Sequence, residues 1–402
     1  MKRTGHLSAS EAAAALGVSR DTLYAYVSRG LIRSEKSPGS RARRYHAEDV
    51  WMLVERKQGR RDPSRTARQA LHWGTPILDS EISLISEGEI YYRGWKVSEL
   101  ARGSTFEDVV ALLWGEPGGV LSDAVPELPP GFAAISRVAR GLPTLEAFQM
   151  TLAAAAAHDP SAWDLAPDSV RGAGARILRL LAAQAVGATP SRRPLAEVLQ
   201  RGWAPGDRAA RAVLESALVL WADHELNVST FTARCVASAH ANPYAVVVAG
   251  LSALRGPLHG GATEQVEALF DEVREPARAR AVLEARLRRG ERIPGFGHAL
   301  YPEIDPRARV LLELLREAKP GCEGLALADA VAEACVALVG KHPNVDFAGG
   351  AMARAFQLPR GAILSVFGIS RSAGWIAHAL EQYAEGRLIR PRARYVGPPP
   401  RT

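Results

Sequence analysis

The 402-residue sequence predicts a mainly α-helical protein in two parts, a small basic helix-turn-helix module and a larger helical body. Three observations carry that reading. Apolar residues recur at helical spacing through most of the chain, often in alanine-rich runs such as FQMTLAAAAAH and ARILRLLAAQAVG, whose small-residue faces permit close helix packing. Only residues 82–94 alternate in the manner of a hairpin. Charge is also uneven: residues 1–68 hold 15 Lys and Arg against 7 Asp and Glu, leaving 35 against 36 for the remainder. A basic module ahead of a neutral body points to nucleic-acid contact by the small part.

Composition excludes several classes. With 47% apolar and 23% charged residues the chain is of ordinary globular type. Three scattered cysteines, Cys235, Cys322 and Cys335, make neither a disulfide framework nor a zinc site, and fit a reducing cytoplasm. No apolar leader opens the chain, and no run reaches the roughly 18 uninterrupted apolar residues of a membrane span. The expectation is a soluble cytoplasmic protein with no membrane partner.

Taken in order, residues 8–35 read as two short helices around a turn. Ser10 is placed to cap the first, with Ala12, Ala13 and Leu16 inward and Gly17 as its stop. Ser19 caps the second, in which Leu23, Tyr26 and Val27 share a face. Arg20, Thr22, Tyr24 and Ala25 then point outward, where a helix-turn-helix meets the major groove. The basic loop SRARRYH (40–46), with Arg43 and Arg44, suits phosphate contact, and a helix from Ala47 to about Arg56 follows. Residues 57–75 read as a linker, basic with Pro, Ser and Gly at its start. In the body, Glu87-Gly88 is the turn of the hairpin. Helices are expected over Val97–Ala101 and Thr105–Trp114, with Ser104 or Thr105 capping the second. Residues 115–200 show helices and no legible chemistry.

Four stretches gather histidine, carboxylate and arginine beside glycine: WADHELNVSTFTARCVAS (221–238), RGPLHGGATEQV (255–266), PGFGHALYPEIDPRA (294–308) and KHPNVDFAGGAMARAF (341–356). Each has a plain structural explanation. Asp346 suits a cap for a helix beginning near Ala348, and Asp305-Pro306 is a cap followed by an N1 proline. Together the residue types are complementary, a carboxylate base with histidines and spare arginines, and Gly260, Gly261, Gly297 and Gly349 would admit a ligand close to the backbone. No histidine pair has metal-ligand spacing such as HExxH, so no metal is expected.

The module's order of helix-turn-helix, GLI, basic wing and RRYHAEDV resembles the MerR and excisionase class of winged DNA-binding domains over about 50 residues. From about residue 76 onward, ADHELNVST, GPLHGGATEQV, GFGHALYPEIDPRA, HPNVDFAGG and GISRSAGWIAHALEQ resemble the successive signatures of citrate synthases. That resemblance implies a two-domain, all-helical body. Residues 76–259 and 353–402 would form the large domain and 260–352 the small one, after a winged domain over 1–56. It implies the tricarboxylic acid cycle condensation of acetyl-CoA with oxaloacetate and water, with no cofactor beyond acetyl-CoA as co-substrate. Asp346 would abstract the methyl proton. His259 would stabilise the enol as a neutral donor, its pKa lowered by the neighbouring helix N-terminus, and His298 would serve the ketone oxygen. His224, Arg307, Arg371 and Arg390 would hold oxaloacetate, Arg390 from the partner in a homodimer. The chain departs from the family where a basic residue touches CoA phosphate, having Pro302 and Glu303 there; Arg292 or Arg392 are the substitutes. Two other readings stand beside this one: a 2-methylcitrate synthase using propionyl-CoA, and a metabolite-sensing transcriptional regulator built on a synthase-like body.

Overall fold

The structure, a computed structural model, describes residues 6–28, 31–36, 43–47, 49–51, 53–54, 78–116, 121, 125–126, 128, 131–301, 303–393 and 395–398. The chain forms two compact units, Met1–Asp79 and Ser80–Thr402.

In the small unit, β1 (His6–Ser8) leads into α1 (Ala9–Leu16) and α2 (Arg20–Ser28), followed by β2 (Ser34–Lys36) and β3 (Arg43–His46). The cap of α1 is Ser8, two residues before the expected Ser10. Ser8 Oγ accepts the Glu11 N–H (3.3 Å) while the Glu11 carboxylate takes the Ser8 N–H (2.8 Å), so the S-x-x-E box decides the start. Ser10 lies inside the helix and accepts from Arg20 Nη2 at 3.2 Å. Gly17, at φ 59°, ends α1 in the left-handed region, and Ser19 caps α2 by accepting the Thr22 N–H. The three strands form an antiparallel sheet in the order β1-β3-β2, with His6 opposite His46 and Leu7 opposite Tyr45. Leu7 and Tyr45 face the core beside Leu16, Leu23, Ile32 and Val50. Strands of three and four residues carry too little alternation to be seen in sequence. Residues 47, 49–51 and 53–54 are helical; wing residues 40–42 and the expected linker over 57–75 lie outside the described residues.

The body opens on the expected hairpin, β4 (Ser83–Ser86) with β5 (Glu89–Tyr92), extended by β6 (Trp95–Lys96). Both turn residues have positive φ, Glu87 at 53° and Gly88 at 75°, the type I′ geometry that matches strand twist. Helices follow: α3 (Val97–Gly103), α4 (Phe106–Trp114), α5 (Phe132–Ala139), α6 (Thr144–Ala156), α7 (Pro167–Val186), α8 (Leu195–Trp203) and α9 (Arg208–Trp221). The second half holds α10 (Val228–Ser238), α11 (Pro243–Leu254), α12 (Ala262–Val273), α13 (Ala279–Arg288), α14 (Pro306–Ala318), α15 (Glu323–Val339), α16 (Val345–Ala355) and α17 (Ala362–Glu385). Thr105 caps α4 in a capping box with Asp108.

α17 is the axis of the body, packing against α7, α9, α10 and α11. It is long and apolar enough by composition to cross a membrane, yet 94% of its apolar window is buried inside the protein, and its buried residues include Arg371 and His378. A Cβ on Gly374 would meet Asp223 Oδ1 at 2.5 Å, so glycine there lets the Ala222–Asp223 backbone lie directly on α17.

Candidate active site and the N-terminal module

Asn344, not Asp346, caps α16: its Oδ1 accepts the N–H groups of Asp346 (3.0 Å) and Phe347 (3.3 Å). Asp346 therefore lies in the first helical turn, and among the described residues no hydrogen bond or ion pair takes its carboxylate. Burial pushes its pKa up to about 7; Arg307 and Arg371 pull it down, and Asp305 pushes it further up. A half-ionised carboxylate at neutral pH is suited to removing a proton.

The Gly-Phe-Gly before His298 is latched to the loop that precedes Asp346. Gly297 N donates to His342 O (2.8 Å), Asn344 N to Gly295 O (2.9 Å) and Asn344 Nδ2 to Gly297 O (3.2 Å). Gly295 and Gly297, at φ 84° and 77°, make that close path possible. His298 Nδ1 accepts the Leu300 N–H at 3.1 Å, which places the ring proton on Nε2 and makes that nitrogen a donor. Burial, helped by Arg307, lowers its pKa to about 4, so the ring is neutral at physiological pH.

His259 follows α11 in a turn closed by Gly261 N donating to Leu254 O. Its Nε2 is 2.8 Å from Ser229 Oγ at the start of α10, and its pKa falls to about 4. Burial first and the Arg371 charge second keep the ring neutral at physiological pH. His224 is buried, its ring edge-on to His298 with centroids 5.3 Å apart and its Nε2 3.0 Å from Tyr301 Oη. Burial, Arg307 and Arg371 hold its pKa well below the ordinary value.

Two buried arginines complete the cluster. Arg307 is gripped by its own helix cap, Nε to Asp305 Oδ1 at 3.0 Å and Nη2 to Oδ2 at 2.8 Å. Arg371 donates from Nε to Trp221 O (2.9 Å) and lies over the Phe367 ring. Arg390 is not brought to the cluster: it sits exposed in the non-helical segment after α17.

The glycines correct one expectation. A Cβ on Gly260, Gly261 or Gly349 would meet the protein's own Leu254 (2.5 Å), Arg255 O (2.8 Å) or Ile363 (2.8 Å), so they serve packing rather than ligand approach. Pro302 lies outside the described residues, while Glu303, Arg292 and Arg392 are exposed. Lys341, which the sequence reading did not single out, lays its stem along Gly297.

Several supporting residues escape sequence reading. Asp223 is fully buried, receives Ser83 Oγ (2.5 Å) and the Glu225 N–H (3.1 Å), and lies 3.3 Å from His378 Nε2. It holds the loop carrying His224, and the hairpin adds Ile85 N to Glu225 Oε1 (2.9 Å). Only the aromatic character of Tyr301 between GFGH and DPR hinted at its contact with His224; nothing local linked Asp223 to His378.

In the small unit, Arg20, Tyr24 and Arg43 line one cleft of about 680 Å³ between α2 and the sheet, together with Ser8, Ser10, Ser28 and Ser34. Thr22 is occupied at the cap, its Oγ1 3.0 Å from Ser19 Oγ. Arg44 faces the other side of the sheet and pairs with Glu35 at 3.0 Å.

The family model "Citrate synthase, C-terminal domain" matches residues 70–392. The citrate synthase of Haloferax volcanii is 32% identical over 358 residues, 81% of this chain and 94% of that relative. The chain belongs to the citrate synthase family. It is an acyltransferase of that family, with a match to the "Helix-turn-helix domain" model over residues 7–58. A solved structure of citrate synthase from Thermoplasma acidophilum, a ternary complex with carboxymethyl coenzyme A and oxaloacetate, superposes with a TM-score of 0.73 at 27% identity, covering 82% of this chain and 96% of that one. A 2-methylcitrate synthase of Shewanella oneidensis is 40% identical over 195 residues, 47% of this chain and 51% of that relative.

Proposed function

We propose that the body condenses acetyl-CoA with oxaloacetate and hydrolyses the product to citrate and CoA, and that Asp346 is the base. The observation that carries this is an unpaired carboxylate, pushed up to about 7, beside neutral histidines and two buried arginines. Asp346 takes a proton from the acetyl methyl group. His259 steadies the enol oxygen that develops, through Nδ1–H. The Ser229 hydroxyl reaches both Asn227 Oδ1 (2.7 Å) and His259 Nε2 (2.8 Å), and with its one hydrogen turned to Nε2 the ring keeps its proton on Nδ1. His298 donates from Nε2 to the ketone oxygen as the carbon–carbon bond forms.

The two carboxylates of oxaloacetate match the guanidinium forks of Arg307 and Arg371, with His224 as a further contact. Arg390, exposed on this chain, completes the site of the partner in a homodimer. Residues 260–352 close over the substrates as a small domain and exclude water. No cofactor is needed, and the enzyme works in the cytoplasm.

Release of free thiol with oxaloacetate plus acetyl-CoA, and separately propionyl-CoA, tests this. Faster turnover with propionyl-CoA would move the reading to a 2-methylcitrate synthase, which the Shewanella relative keeps in view; one methylene changes such preferences by only about 1–3 kcal/mol. Turnover with neither would sink the enzyme reading in favour of the metabolite sensor.

The small unit favours DNA as a further partner, because Arg20 and Arg43 converge on one cleft with Tyr24. Affinity for duplex DNA should then fall steeply between low and physiological salt as counterions are released. A salt-independent isotherm would overturn it.

A further inference from the structure

The outer face of the small unit's sheet carries a group of side chains that neither the reaction nor DNA contact uses. His6 and His46 are directly paired across β1 and β3, on the face opposite Leu7 and Tyr45, with ring centroids 4.6 Å apart. Glu35 on β2 reaches across the central strand, placing Oε1 3.2 Å from His6 Nε2. One ligand atom from each of the three residues lies within 4.8 Å of the others.

We propose that His6, Glu35 and His46 form a binding site for a first-row divalent metal ion of the zinc class. Donors held ~2.1 Å from one tetrahedral ion lie ~3.4 Å apart. The His6–Glu35 pair already meets that spacing, and a small rotation of His46 completes it. Two imidazoles with one carboxylate select zinc, nickel or copper over magnesium or calcium, which want oxygen donors. The fourth position is open to water.

The neighbours set the terms of binding. Arg44 holds Glu35 Oε1 at 3.0 Å and competes for that carboxylate, so occupancy draws Glu35 away from Arg44. Asp49, the other acidic group near His46, is taken in a two-pronged pair by Arg33 (2.9 Å and 2.9 Å) and is not a ligand. The ion ties β1 to β2 across β3 and so braces the wing against the strand that feeds α1. Sequence spacing conceals the site because its ligands come from three strands, far apart along the chain.

Equilibrium dialysis of the untagged full-length chain against Zn²⁺ at pH 7.5 tests the proposal, with Co²⁺ absorption reporting the ligand field. Wild type is expected to bind one equivalent more than the His6→Ala/His46→Ala variant, with a tetrahedral cobalt band present only in wild type. Glu35→Gln, which keeps the side chain's shape, should weaken binding at least tenfold. Binding should also weaken as pH falls, because the ligating nitrogens must be unprotonated. Equal stoichiometry in wild type and the double variant, or unchanged affinity in Glu35→Gln, would overturn the site and leave an ordinary His–Glu ion pair. Resistance of the small unit to limited proteolysis, compared with wild type, reports independently that each variant is folded there.

Discussion

Replacing Asp305 with asparagine separates how the substrate arginine is held from what it does. The Asp305 and Arg307 side chains are 0% and 3% exposed, so their pairing is cut off from water. Asparagine keeps one acceptor oxygen, enough for the Arg307 N–H and Nε. Its amide nitrogen then confronts two donors, Arg307 Nη2 at 2.8 Å and Val345 N at 3.2 Å. Removing one member of a buried ion pair costs about 3–5 kcal/mol. In a body the size of Ser80–Thr402 that lowers the melting temperature by roughly 4–7 °C. Val345 adjoins Asp346, so the base is displaced as well, and the KM for oxaloacetate should rise by about tenfold or more, ~1.4 kcal/mol. A double variant, Asp305→Leu with Arg307→Met, removes both charges together. It should recover most of the melting temperature, since apolar replacement of a buried pair is often neutral, yet regain none of the oxaloacetate affinity. Scanning calorimetry and thiol release measure the two effects. An Asp305→Asn protein with unaltered melting temperature and KM would refute the reasoning.

Two further outcomes follow from the site's electrostatics. The acid limb of kcat/KM should be centred near pH 7, because Asp346 loses its base form as pH falls through its raised pKa while His259 and His298 stay neutral down to about pH 4; a limb centred near pH 4 would assign the titration to a histidine instead. Ser229→Ala should lower kcat by about tenfold or more with oxaloacetate binding retained, since His259 loses the partner that orients its ring; an unchanged kcat would remove Ser229 from the account.

Much of this site was legible because its local chemistry repeats known physical devices. Glu87-Gly88 between alternating runs is a hairpin turn, and Asp305-Pro306 is a helix start, and both are present. The errors arose where two readings used the same residues. Ser8 and Ser10 both precede an alanine run, and only the reciprocal bond with Glu11 chose Ser8. Asp346 resembled a cap until Asn344, two residues earlier, took that role and left the carboxylate for other work. What stayed hidden depends on tertiary contact. Asp223 meets His378, and Gly295 and Gly297 latch onto residues 342–344, across separations that no local pattern records. The burial that keeps His259 neutral is likewise a property of the assembled fold, with no local pattern to announce it.

The central claim is that Asp346 is the base in a preassembled site, and one comparison tests it most directly. Thiol release and oxaloacetate binding by calorimetry are measured on wild type and Asp346→Asn side by side. The account predicts a kcat lower by ~10²–10⁴-fold, the usual worth of a general base, with oxaloacetate affinity within about twofold. Turnover within tenfold of wild type would contradict it.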